Sequence, residues 1–170
     1  MRRDEYEGRI AELKARYPYL FAGRHIGHDI APGWLSIAFE LCARIKGAVA
    51  EAERPCIYFG QIKEKFGGLR CYLNIAPLRI DVFGDAESPG ISGYIGESET
   101  PCLFERLSPL IHAAEAESYR TCIFCGAAGR LRREDRSWVL TLCDRHNACT
   151  YDDLDAAFEQ VTDPERDLLP

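Results

Sequence analysis

Residues 121–126, TCIFCG, set two thiols three positions apart and place a glycine directly after the second. That spacing suits a disulfide, a redox pair or half of a metal site. A second short pair decides among them. Seventeen residues separate Cys125 from Cys143 in TLCDRH, so the whole pattern is Cys122-x2-Cys125 followed by Cys143-x2-His146. Two such pairs separated by a loop of that size are what a tetrahedral zinc ion needs, because each pair holds one edge of the tetrahedron. Gly126 permits the tight turn of a zinc knuckle, in which backbone N–H groups point at the thiolates. SWVLTLC alternates Trp138, Leu140 and Leu142 with Val139 and Thr141, which predicts a strand carrying the second pair toward the first, as in a zinc ribbon. A redox CxxC would instead open a helix within a βαβ unit. Cys149 is an alternative fourth ligand with a less usual spacing from Cys143. Four protein ligands leave zinc no open position for water or substrate, so the metal expected here is structural.

The remaining cysteines read differently. Cys42, Cys56, Cys71 and Cys102 lie in apolar stretches and are expected to pack as small hydrophobes in a reduced protein. The N-terminus MRRDEYEGRI carries no following apolar run, and no window approaches the ~20 apolar residues that span a bilayer. The expectation is a cytoplasmic protein without a secretion signal.

Outward from the cysteine pairs the periodicity is that of a mixed fold. Residues 4–17 repeat apolar groups at Tyr6, Ile10, Leu13 and Tyr17, which predicts an amphipathic helix with Asp4 as its N-cap. PGWLSIAFELCARIKGAVAE, starting at Pro32, is apolar at Trp34, Leu35, Ala38, Leu41, Cys42, Ile45 and Val49 and predicts the central buried helix. CIYFGQIKEKFGGLRCYLNI changes to strand character on both sides of Gly67-Gly68, predicting a hairpin with strands near 56–64 and 69–75. LRIDVFG offers a third strand before DAESPGISGYIGESETP, whose Gly, Ser, Pro and acidic residues read as a mobile loop, and the inserted loop spans about 77–99. Thr100 and Ser108 each precede a proline, which predicts two successive capped helices. Thr150 and Asp153 cap a terminal helix bearing Leu154, Phe158 and Val161, followed by a fraying acidic tail.

The fold class expected is α+β, with helices packed on a small antiparallel sheet and a C-terminal zinc ribbon. Its organisation is an α+β core over 1–120, a zinc-ribbon module over 121–147, and a C-terminal helix and tail over 148–170.

Net charge is −6, which excludes a general nucleic-acid binder. From Tyr119 to Asn147, however, six arginines (120, 130, 132, 133, 136 and 145) face three acids, a balance of +3 that leaves −9 elsewhere. A mildly basic ribbon on an acidic body could contact phosphates through Arg130, Arg132 and Arg133, while the acidic body suits a basic groove on a protein partner. KEKFGGLR places Lys63, Lys65 and Arg70 at a hairpin tip with Phe66, a platform for an anion or an acidic protein surface; the plainer reading folds Phe66 back onto the core. His25-x2-His28 could hold a second metal but reads as two packing or surface residues, and His112 on an apolar helix reads as core. Gln61-x-Lys63 imitates part of a metal-nuclease motif, but no upstream Asp on a partner strand completes a carboxylate cluster. No phosphate loop, nucleophile elbow or open zinc motif is present, so no catalytic residue is assigned.

Taken in order, KEKFGGLRCY, TCIFCG, Trp138 and TLCDRH resemble a set of small uncharacterised proteins encoded by bacteria, phages and prophages, over roughly residues 33–147. Such proteins are similar in combining a lysine-rich FGGLR hairpin, a helix and a two-knuckle zinc site; most lack a segment like 77–99. The resemblance implies, as one role, a small inhibitor that binds a host defence protein such as a CRISPR effector, and the chain's size, acidic body, zinc module and lack of a catalytic constellation fit noncatalytic binding of a protein. A nucleic-acid-binding zinc ribbon is the alternative, and an enzyme of unknown class a second.

Overall fold

The computed structural model describes residues 1–75, 78–82, 91–95, 100–133, 138–150 and 152–153, and of 78–82, 91–95 and 100–102 the backbone alone. The expectations for Cys102, Arg136, most of the loop 77–99 and the terminal helix and tail beyond Asp153 lie outside the described residues.

The first helix, α1 (Arg3–Arg16), begins one residue earlier than the periodicity suggests. Arg2 takes the N-cap position without a side-chain bond, and Asp4 sits in the first turn, where its charge complements the helix dipole. Leu13 and Tyr17 are buried, and the Tyr6 hydroxyl donates to the Ile30 carbonyl at 2.6 Å. The short helix α2 (Pro18–Phe21) follows, then β1 (Gly27–His28).

Pro32 opens a 3-10 turn, Pro32–Trp34, that leads into α3 (Leu35–Ala48). Its stripe is the one the sequence marks: Trp34, Leu35, Ala38, Leu41, Cys42, Ile45 and Val49 are all buried, while Ser36, Glu40 and Arg44 face solvent. Each large apolar side chain removed from water in this way contributes about 1.5–3 kcal/mol before the entropy of ordering is subtracted.

A second 3-10 turn, Glu51–Cys56, delivers the chain to the hairpin β2 (Ile57–Lys65) and β3 (Gly68–Ile75). The strands pair antiparallel from Ile57↔Ile75 to Lys65↔Gly68, with an extra residue accommodated at Gly60. That bulge shifts the alternation by one residue, so Ile57 and Phe59 point inward before it and Ile62 after it, on the same side of the sheet. The sheet is not purely antiparallel, as β1 joins it parallel to β2 through Gly27↔Gln61 and His28↔Ile62. The two-residue turn is Phe66-Gly67, one position earlier than the Gly-Gly dipeptide suggests. Both residues have positive φ, 55° and 81°, as a type I′ turn requires.

The strand foreseen in LRIDV exists as β4 (Leu78–Val82), but it pairs with β5 (Ile91–Ile95) in a separate two-stranded sheet. The stretch foreseen as loop therefore contains a strand.

The two helices expected around Ser108 are one, α4 (Thr100–Ser118), with Pro109 inside it. Proline removes a single intrahelical hydrogen bond. Leu103, Leu107, Ala114 and Ser118, at helical spacing on both sides of it, are buried on one stripe, and that continuous burial outweighs the local defect. His112, expected in the core, is exposed on the opposite side of this helix.

Beyond α4 come β6 (Arg130–Arg132) and β7 (Leu140–Leu142), paired antiparallel. Their inward residues belong to the same buried cluster as α3: Cys122, Ile123, Leu140 and Leu142 are fully enclosed alongside Trp34, Leu69 and Leu107. Thr150 and Asp153 exchange hydrogen bonds in the capping pattern expected of them.

Candidate metal centre and the hairpin tip

Two turns and a short hairpin assemble the cysteines. Thr121 bridges to Ala128, the Cys122 N–H bonds to the Ala127 carbonyl, and the Gly126 N–H returns to the Cys122 carbonyl. These bonds fold Cys122 to Cys125 into a knuckle rather than the start of a helix, which removes the redox arrangement. Gly126 takes φ 73°, a left-handed conformation in which a side chain is strained. Strand β7 then carries in Cys143, and a 3-10 turn, Asp144–His146, brings the imidazole alongside.

Four ligand atoms result, all within 4.8 Å of one another: Sγ of Cys122, Cys125 and Cys143, and a ring nitrogen of His146. Cys125 Sγ and Cys143 Sγ are 3.8 Å apart, far beyond a disulfide bond. Nδ1 of His146 lies 3.6 Å from Cys122 Sγ and 3.3 Å from Cys143 Sγ. A tetrahedron with metal–sulfur bonds of about 2.3 Å and metal–nitrogen bonds of about 2.0 Å separates its corners by about 3.8 Å for sulfur pairs and about 3.5 Å for sulfur with nitrogen. The four side chains can therefore hold a metal ion, and their spacing is compatible with zinc. Cys149, the alternative fourth ligand, is not among the four.

The thiols are tuned by their surroundings. At Cys125 burial pushes the thiol up, against the Ala127 N–H, which favours the thiolate. At Cys143 burial also acts upward. The His146 backbone N–H, the His146 ring and the Cys122 and Cys125 thiols together outweigh it and bring the group down to about 6. Thiolate is the form that binds metal. The Phe124 ring stacks on His146 at 5.2 Å and covers one side of the ligand.

This centre is stitched into the rest of the protein by buried polar bonds. Trp34 Nε1 donates to the Thr121 carbonyl at 3.0 Å, and the Gly33 N–H donates to the Ile123 carbonyl at 2.8 Å. A Cβ on Gly33 would come within 2.0 Å of the Cys122 carbonyl, so only glycine allows this approach. Thr141, fully buried, donates from its hydroxyl to the Gly67 carbonyl at 2.7 Å and accepts the Ile123 N–H at its own carbonyl. The hairpin tip thus rests on the metal-site strand.

At that tip Phe66 does not fold back onto the core: it is 67% exposed. Its left-handed φ is uncommon for an aromatic residue, and the neighbouring bonds impose it. Glu64 accepts the Gly67 N–H at 2.6 Å through one oxygen and the Trp138 indole N–H at 3.0 Å through the other. Trp138 is half exposed. Lys65 lies over the Phe66 ring at 5.3 Å. The pairing of Glu64 with Trp138 is not legible in the sequence, because only folding brings residues so far apart in the chain together.

The other expected contact residues separate into two groups. Lys63 stands over Tyr72, while Arg70 is drawn toward α4: it stacks on Tyr119, donates to the Tyr119 hydroxyl at 2.6 Å and approaches Glu115 at 3.9 Å. In the ribbon, Arg130 and Arg132 both pair with Asp144, and Arg133 is exposed. His25 and His28 stack at 3.9 Å, with Nε2 of His28 against the Phe59 carbonyl at 2.8 Å. Burial lowers the pKa of His28, so its role is packing of the β1 edge in a neutral form.

No family model matches the chain, and no curated protein or solved structure does. Among the described residues no helix is long and apolar enough to cross a membrane.

Proposed function

We propose that this chain is a noncatalytic, zinc-stabilised protein-binding protein of the cytoplasm, whose partner docks on the hairpin tip beside the metal centre. The observation that carries the reading is Phe66: an aromatic side chain held in a left-handed backbone conformation and turned 67% into solvent. Strain of this kind persists only where surrounding structure over-determines it, and it concentrates at functional surfaces. Half-exposed Trp138 and Lys65 extend the patch, and aromatic and cationic anchors of this type dominate protein interfaces.

Zinc at Cys122, Cys125, Cys143 and His146 would hold β6 and β7 together beneath the tip through Thr141 and Gly67. With all four positions taken by protein, the metal has no site for substrate, which favours a binding role over catalysis. The resemblance of KEKFGGLRCY and the two cysteine pairs to phage-encoded proteins extends the proposal to a partner in host defence, such as a CRISPR effector. Nucleic-acid contact through the ribbon is less favoured because Asp144 pairs with both Arg130 and Arg132 and offsets one of their two charges.

Affinity capture from a bacterial host lysate, comparing the native chain with Phe66→Ala and Trp138→Ala, tests the reading. A retained protein that both variants lose, and that nuclease treatment does not release, is the expected result. Equal capture by all three chains overturns the docking surface.

A further inference from the structure

The side of the β2–β3 hairpin that faces away from the core carries an arrangement of which the protein-docking role uses only Lys65 and Phe66 at the tip. Beyond the bulge, Lys63 and Lys65 on β2 and Arg70 and Tyr72 on β3 alternate with the buried Ile62, Leu69 and Cys71 and so share this outer face. Lys63 and Arg70 are directly opposite one another in the register. Like charges in that relation destabilise a sheet. Among the described residues neither Lys63 nor Lys65 has an ion-pair partner, and the Arg70 guanidinium has Glu115 only at 3.9 Å. An acidic chain therefore keeps three cations together on one face, two of them in a repulsive pair.

Each of these cations lies over an aromatic ring. The Lys63 ammonium is 5.7 Å from the centre of Tyr72, Arg70 is 5.4 Å from Tyr119, and Lys65 is 5.3 Å from Phe66. Tyr72 is 45% exposed and Phe66 67%. From Tyr72, opposite Gln61, to Phe66 the rings extend along the hairpin over about 16 Å at a strand's rise per residue. Cations attract phosphate or carboxylate alike. Flat rings interleaved with them add a surface on which bases stack, and an acidic peptide has no use for that surface.

We propose that this face binds single-stranded nucleic acid, with Lys63, Lys65 and Arg70 placed toward the phosphates and Tyr72 and Phe66 offered to the bases. Arg70 is prepared for the part: bonds to the Leu69 carbonyl and the Tyr119 hydroxyl fix its fork at the strand edge. The two readings share Lys65 and Phe66 at the tip, but the centre of this one is Tyr72 and Lys63, and Trp138 lies outside it.

The experiment is fluorescence anisotropy of the full chain, zinc-loaded, with labelled twelve-nucleotide oligouridylate and oligothymidylate. Duplex of the same length and polyglutamate serve as competitors. Expected are binding at or below about 100 μM at low salt, and a slope of log affinity on log salt of about −2, from three cations on a single strand. Tyr72→Ala should weaken binding about fivefold or more, Tyr72→Phe should restore it, and Lys63→Gln should weaken it and flatten the slope. Unchanged melting temperatures for these substitutions, at exposed Tyr72 and half-buried Lys63, separate loss of contact from loss of fold, and Trp138→Ala should bind the oligonucleotides like the native chain. A preference for uridylate or thymidylate tells RNA from DNA, and either supports the proposal. No binding at that concentration, competition by duplex or polyglutamate equal to that by single strands, or indifference to Tyr72→Ala overturns it.

Discussion

Two populations of cysteine divide this protein into regions held by different physics. Cys42 and Cys71 sit in the helix–sheet core, where burial pushes the Cys42 thiol up to about 12 and the Cys71 thiol further still. They stay protonated and act as small apolar groups. Cys143 lies in a shallow hairpin, among three other ligand groups and a backbone N–H that favour its thiolate. The same residue type fills space in one region and gathers charge in the other. A three-residue pair, β6 with β7, is too short to be stable alone, so its geometry depends on what joins the thiols and on the polar bonds to Trp34, Gly33 and Gly67.

The contrast can be broken most severely at Cys125→Ser. Metal analysis should show about one zinc per native chain and much less in the variant. Thermal unfolding should drop by about 10 °C or more, since metal binding and folding are coupled. A Cys125→Ser protein with full zinc and native stability rules out the assigned centre.

Gly33→Ala probes the seam between the regions. Its Cβ would meet the Cys122 carbonyl at 2.0 Å, so the two backbones must part, at a cost of about 1–3 kcal/mol in denaturant unfolding. Zinc should also be released to a chelator faster than from the native chain. Unchanged release separates the metal centre energetically from the turn at Pro32–Trp34.

Cys42→Ala should cost about 1 kcal/mol and leave zinc content unaltered, because only packing is lost. Loss of zinc in that variant erases the distinction between the two cysteine populations.

The smallest effect belongs to His28. Its folded pKa lies below the ordinary 6.5, chiefly through burial, so the folded state binds its proton less readily than the unfolded chain. Its contribution to stability is present above pH 6.5 and is lost as pH falls through the lower folded value. An NMR titration should place the His28 midpoint below the ordinary 6.5, and a midpoint at or above that value contradicts the buried, neutral ring.

Much of the fold is legible in the chain because it rests on short-range pattern. The α3 stripe is written at helical spacing from Trp34 to Val49, and the hairpin alternates on both sides of its glycines. Where reading and structure part, a distant contact decides. Pro109 stays within α4 because Leu103, Leu107 and Ala114 are buried on one stripe across it, and the sequence around Ser108 carries no record of that surface. The turn slips to Phe66-Gly67 because Thr141 and Glu64 hold Gly67 from two sides. Gly68 is needed for another reason: a Cβ there would run into the Tyr119 ring.

By itself the sequence determined which four side chains could hold a metal ion, since Cys122, Cys125, Cys143 and His146 fall in two pairs whose internal spacing is a property of a single turn. It also determined the central helix, because burial every three or four residues is a local rule. Tertiary structure alone decided what surrounds them. It set Phe66 outward beside Trp138, turned Arg130 and Arg132 onto Asp144, and aligned Lys63 with Arg70 over a row of rings. Those arrangements depend on register and on which elements meet, and such contacts are settled only when the whole chain is packed.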